Sequence, residues 1–143
     1  MGYLRLSVLG VLALCLVSGA AQAETKIFKA TLSGASEVPP TTSAGAGAAT
    51  ATLDTATGKL VWDVSYSGLT GPAKAAHIHG PAGPGQNAGV VVPLKGDLAS
   101  PIKGSATLTA AQMADLEAGK YYVNIHTAAN KGGEIRGQLQ SAP

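Results

Sequence analysis

An all-β domain, built as a sandwich or barrel with one short helix near residues 110–118, is the fold class this sequence predicts. Three observations carry it. The chain is rich in Gly, Ala, Thr, Val and Pro, with turn signals roughly every ten residues, the spacing of short strands. Leu60, Trp62, Val64 and Tyr66 alternate with Val61, Asp63 and Ser65, a period of two that puts one face in a core. Thr109-Ala110-Ala111-Gln112 has the spacing of a helix capping box.

The chain opens with a segment that reads as targeting rather than fold. Arg5 supplies a positive start, Leu6–Val17 an apolar run too short to span a bilayer, and Ala21-Gln22-Ala23 a small-residue cleavage site. Cleavage there leaves Glu24–Pro143 as one domain. Cys15, the sole cysteine, leaves with the apolar run, and the Leu14 before it argues against a lipid anchor. The expected destination is a periplasm or the cell exterior. Without thiols the domain holds by packing alone, and a metal site must use nitrogen and oxygen ligands.

Phe28, Ala30 and Leu32 alternate with Lys29 and Thr31, which reads as the first strand. Pro39-Pro40 breaks the pattern, because proline cannot donate to a sheet ladder. The small residues Ser43–Ala51 lead into a strand through Leu53, and Asp54–Gly58 is a hairpin loop in which Gly58 takes positive φ. After the strand of Trp62, the best core anchor, Ser67–Pro72 turns the chain into a strand that ends at His79. Gly80–Gly89 is Gly/Pro-rich and reads as a loop. Val90–Val92 reads as a buried strand ended by Pro93, and Ser105–Leu108 as a further short strand. In the helix, Met113, Leu116 and Ala110 are expected to face the core, with Gly119 as terminator. Tyr121–His126 and Glu134–Leu139 complete the sheet, joined through Thr127–Gly133.

The chemistry sits on two of these strands. The three histidines of the chain are His77, His79 and His126. In Ala76-His77-Ile78-His79 the pleat aims His77 and His79 the same way and Ile78 the opposite way. Two imidazoles so placed can close on one metal ion, and His126 from a second strand would complete a three-nitrogen site. Neutral imidazoles suit Cu(II) or Zn(II), copper being favoured by raw affinity. Asn124, Glu134 or a backbone carbonyl is the expected acceptor that fixes the ring tautomers, and a Thr127–Gly133 hairpin brings Glu134 or Arg136 near His126. The other reading makes the histidines structural, hydrogen-bonded across adjacent strands, with Glu134 and Arg136 a solvated pair of little energetic weight.

Several motifs, in order, carry a resemblance. Leu32-Ser33-Gly34, Glu37-Val38-Pro39-Pro40, Tyr66-Ser67-Gly68-Leu69, Ala76-His77-Ile78-His79-Gly80-Pro81-Ala82, Tyr121-Tyr122-Val123-Asn124-Ile125-His126-Thr127 and Gly133-Glu134-Ile135-Arg136-Gly137 resemble the CHRD domain, from about Phe28 to Leu139. That module is named for chordin, an animal growth-factor antagonist, and also occurs in microbial secreted proteins. The resemblance implies an extracellular Greek-key β-sandwich or barrel, immunoglobulin-like or superoxide-dismutase-like, and no particular reaction. His77 and His79 as a pair, with His126 as a distant third, are also similar to the copper side of copper/zinc superoxide dismutase, where Arg136 would take the guiding role. A fourth histidine to bridge to zinc and a cysteine for that enzyme's disulfide are missing.

Other classes find little support. Ten Lys and Arg against eight Asp and Glu leave the chain nearly neutral, and the lysines are scattered singly, unlike a nucleic-acid surface or a membrane-binding face. No G-x-S-x-G element occurs and no carboxylate pair stands at catalytic spacing. The sequence thus reads as a secreted, non-catalytic domain that binds copper or zinc, or alternatively as a module recognising a protein or matrix partner.

Overall fold

Alternation along the chain becomes pairing in one antiparallel sheet. The computed structural model describes residues 23–143; the leader reading of residues 1–22, with Arg5 and Cys15, lies outside the described residues. The strands are β1 (Thr25–Ser33), β2 (Ala46–Asp54), β3 (Lys59–Ser67), β4 (Ala75–His79), β5 (Val90–Pro93), β6 (Ile102–Thr107), β7 (Tyr122–His126), β8 (Ile135–Gln138) and β9 (Gln140–Ala142), with a helix α1 (Ala110–Glu117) between β6 and β7. Their order in space is β5-β4-β7-β8-β1-β2-β3-β6, and β9 pairs with β1. The two free edges, β5 and β6, both line a cavity of about 280 Å³ beside Trp62, so the sheet curls into a nearly closed barrel. β7 lies beside β4 although β5, β6 and α1 intervene in the chain, which is a Greek-key return.

The inner face explains the small residues of β2. Ala51 pairs with Phe28 on one side and Trp62 on the other, and all three are buried. A methyl group between two aromatic rings lets large and small side chains interdigitate at interior density. Leu32, Leu53, Leu60, Val64, Ile78, Ile102, Val123, Ile125 and Ile135 complete the inner layer, each worth about 1.5–3 kcal/mol when fully buried.

The helix has the expected cap. The Thr109 hydroxyl accepts from the Gln112 N–H and the Gln112 side chain accepts from the Thr109 N–H, while Gly119 closes the end with φ +71°. Leu116 is buried and Met113 packs against the core. Ala110 is exposed: at the first helical position it lies on the solvent side.

Three details depart from the sequence reading. Val90, expected to be buried, is 51% exposed, because β5 is a sheet edge with β4 as its only partner among the described residues. β6 begins at Ile102 rather than Ser105, drawn into the ladder by pairing with Val64. The last strand is interrupted at Leu139, whose N–H turns to the Tyr121 carbonyl, and β9 then runs along β1 opposite Ile27–Lys29.

Candidate metal centre

Inward-facing Ala76 and Ile78 on β4, and Val123 and Ile125 on β7, force their neighbours outward. His77, His79, Tyr122, Asn124 and His126 therefore share the outer face of two paired strands. The register sets Ala75 opposite His126, His77 opposite Asn124 and His79 opposite Tyr122. His77 and His126 are thus diagonal neighbours, within reach of long side chains. One ring nitrogen from each of His77, His79 and His126 lies within 4.8 Å of the other two.

Hydrogen bonds orient the rings. His79 Nδ1 is 2.9 Å from the Ala88 carbonyl, and His126 Nδ1 is 2.9 Å from the Lys131 carbonyl. A carbonyl only accepts, so both Nδ1 atoms carry the proton and each neutral ring presents an Nε2 lone pair. His77 Nδ1 lies 3.0 Å from His126 Nε2 and donates to it in this state. The Nε2 atom of His79 is buried without a partner. Burial lowers the pKa of His77, assisted by the nearby His126 and His79. Burial likewise lowers that of His126, against the opposing Lys131 carbonyl. Both shifts favour the neutral, ligating form.

The outer face carries a second, polar layer. Tyr122 stacks on His79, with centroids 5.0 Å apart and planes 4° from parallel. The Arg136 guanidinium lies 3.4 Å from the Tyr122 ring centroid and donates to Asn87 Oδ1, to the Gln86 carbonyl at 2.7 Å and to the Gly83 carbonyl. The Gly80–Gly89 loop is therefore a cover held by the buried arginine together with Gln138, which donates to the Ala82 carbonyl, and Tyr122, whose hydroxyl accepts from the Ala88 N–H. It delivers the Ala88 carbonyl to His79.

Glu134 is fully buried and accepts from Ser43, Thr70, Thr127 and Asn130. Burial pushes its carboxyl up, but the hydroxyl and N–H donors outweigh that and hold it at about 2. Its carboxylate clasps the segment before β2, the segment before β4 and the turn that carries Lys131. Glu37 has no such set. Burial pushes its pKa to about 7, with Arg136 countering only in part.

The three predicted ligands converge. Of the residues expected around them, Asn124 lies directly across from His77, with Oδ1 buried and unpartnered. The acceptors of His79 and His126 are backbone carbonyls, the third of the expected options. Glu134 and Arg136 are both buried and separately partnered, not the solvated pair of the sequence reading, because loops cover the face on which they lie. Arg136 spends its donors on the Gly80–Gly89 loop and not on the histidines. Sequence reasoning overlooked Glu37 and the roles of Tyr122, Ala88 and Lys131. Alternation placed Tyr122 beside the histidines, but no periodicity marks a loop carboxylate or a carbonyl.

A curled antiparallel Greek-key sheet with a histidine cluster on its outer face defines a small all-β module. The sequence matches the CHRD domain family over residues 28–139, and the chain belongs to that family. No significant match was found among curated proteins or among solved structures. No helix among the described residues is long and apolar enough to cross a membrane.

Proposed function

We propose that this chain is an exported, non-catalytic CHRD protein that binds a copper or zinc ion through His77, His79 and His126. CHRD domains occur in secreted proteins, and the leader-like start of the chain agrees with export. One observation carries the metal reading: three imidazole nitrogens within 4.8 Å of one another, two of them with tautomers set by carbonyls so that Nε2 carries the lone pair, that of His126 accepting from His77 Nδ1 until an ion takes the proton's place. Metal–nitrogen bonds of about 2.0–2.1 Å hold tetrahedral ligand nitrogens about 3.3–3.4 Å apart, so the widest pair has to close by roughly 1.4 Å as the rings turn onto the ion. His77 ligates through Nδ1 once its proton moves to Nε2. The buried Nε2 of His79 gains the partner it otherwise lacks. Copper is favoured over zinc by intrinsic affinity. The non-catalytic reading is supported by Glu134, whose carboxylate is saturated by donors and so is no general base.

Titration of the protein with Cu(II), followed by electron paramagnetic resonance, tests this. A nitrogen-rich signal of one equivalent is expected from the wild type and its loss from His77→Ala/His79→Ala. Ligand at about a hundred times Kd stabilises by about 2.7 kcal/mol, so chelation lowers Tm by roughly 10 °C. Equal binding by both proteins refutes the site. The direct His77–His126 hydrogen bond favours a second reading, a protein- or matrix-binding module with structural histidines. It predicts a Tm unmoved by metal or chelator.

A further inference from the structure

We infer that the metal held by the three histidines keeps one coordination position for a small anion, a carboxylate or an inorganic oxyanion, which Lys74 and Lys131 draw in. The inference rests on the metal-binding reading and goes beyond it by naming the ligand class and the residues that select it. A cavity of about 390 Å³ is lined by His77, His126, Lys74, Lys131 and the small residues beside them. His79 does not line it, so the cavity reaches the cluster from the His77–His126 side and leaves the buried His79 nitrogen behind.

Both lysines are fixed to a single candidate ligand. The Lys74 N–H donates to the His126 carbonyl at 2.8 Å, and the Lys131 carbonyl accepts from His126 Nδ1 at 2.9 Å. Their side chains thus spring from two points tied to one histidine, and both border the same cavity. No carboxylate lines that cavity, and neither lysine has an acidic partner within 4.0 Å among the described residues. Three neutral imidazoles leave a divalent ion its full double charge. Lys74 and Lys131 are exposed residues on the rim of the cavity, and their charges add to that of the ion, while the nearest carboxylate, Glu134, sits behind Thr127 and is already saturated by donors. An anion binding there satisfies metal and lysines together. The volume admits a small carboxylate or oxyanion, and a neutral donor gains nothing from the lysines.

The test uses copper-loaded protein and azide as a spectroscopic anion. An azide-to-copper charge-transfer band is expected for the wild type, and acetate and phosphate should displace the azide, their relative strength identifying the preferred donor. In Lys74→Gln/Lys131→Gln, azide affinity should fall about tenfold at low salt. The gap should narrow toward physiological ionic strength as screening sets in. Imidazole, a neutral ligand, should bind both proteins alike. The readout is the affinity of the copper-loaded form, so differences in copper uptake do not enter it. Absence of the azide band in copper-loaded wild type overturns the open position. Equal azide affinity in the two proteins, or an equal loss of imidazole affinity in the variant, overturns the role of the lysines. If no copper is taken up, the paramagnetic titration shows it before any anion is added, and both readings fall together.

Discussion

Replacing Glu134 by Gln removes one charge at the centre of the clasp that steadies the β7–β8 turn. Oε1 accepts from the Thr70 N–H at 2.8 Å and from Ser43 at 2.6 Å. Oε2 accepts from the hydroxyls of Thr70 and Thr127 and from Asn130 Nδ2. The Gln amide therefore turns its NH2 toward the Oε2 side, where hydroxyls can reverse and accept, while the backbone N–H of Thr70 keeps an oxygen. Even so, Asn130 loses its acceptor and every surviving bond loses its charge assistance.

The pKa gives the size. A fall from 4.5 to about 2 is about 2.5 units, or about 3 kcal/mol in favour of the ionised form. Since the folded pKa is depressed, this stability is present above pH 4.5 and is lost as pH falls toward 2. The Gln side chain mimics the protonated acid at all pH values. Urea unfolding of both proteins from pH 7 down to pH 2 should show a gap of about 3 kcal/mol at pH 7 that closes toward zero at pH 2. Other carboxylates titrate in both proteins and cancel in the difference. A gap that stays constant across this range, or one below about 1 kcal/mol at pH 7, refutes the clasp. Because the turn presents the Lys131 carbonyl to His126, copper affinity should weaken in the same variant.

Glu37→Gln should act in the opposite sense. The raised pKa of Glu37, about 7, means its ionisation disfavours the fold, so stability from the protonated form is present below 4.5 and lost as pH rises through 7. Denaturation at pH 8 should find the variant more stable by up to about 3 kcal/mol, with little difference at pH 4; no gain at pH 8 contradicts the buried-carboxyl account. Arg136→Lys keeps the charge but loses the planar fork and the stack on Tyr122. Amide exchange across Gly80–Gly89 should quicken, and unchanged protection there argues against the arginine as the loop's anchor. Gly104→Ala drives a methyl group into the Trp62 indole and should cost about 1–3 kcal/mol by urea unfolding.

Much of the candidate site was legible because pleating is local. Once His77, Ile78 and His79 are in a strand, backbone geometry alone puts the two imidazoles on one side and Ile78 on the other, and the same rule groups Tyr122, Asn124 and His126. The capping box at Thr109 and the turn at Gly58 are equally local: a side chain meets a backbone three residues away, or a glycine accepts positive φ. The strand edges were harder. Val90-Val91-Val92 has the composition of a buried strand, yet composition cannot tell a central strand from an edge, and Val90 faces solvent because no strand among the described residues pairs beyond β5.

What folding alone decided is which distant segments meet. No local preference states that β7 lies against β4 across an intervening hairpin edge and helix, or that Ala75 falls opposite His126; that register follows from burying Ala76, Ile78, Val123 and Ile125 together in the barrel. Nor does a residue pattern mark the carbonyls of Ala88 and Lys131, since every residue has one, and only loop packing aims them at a ring nitrogen. Glu134 and Arg136, which alternation places on an outward face, are buried because loops close over that face, and low-dielectric burial makes their private partners matter. Side-chain direction is thus written in the covalent period of the strand, whereas neighbours, solvent access and proton affinity arise only when the sheet curls and its loops fold back.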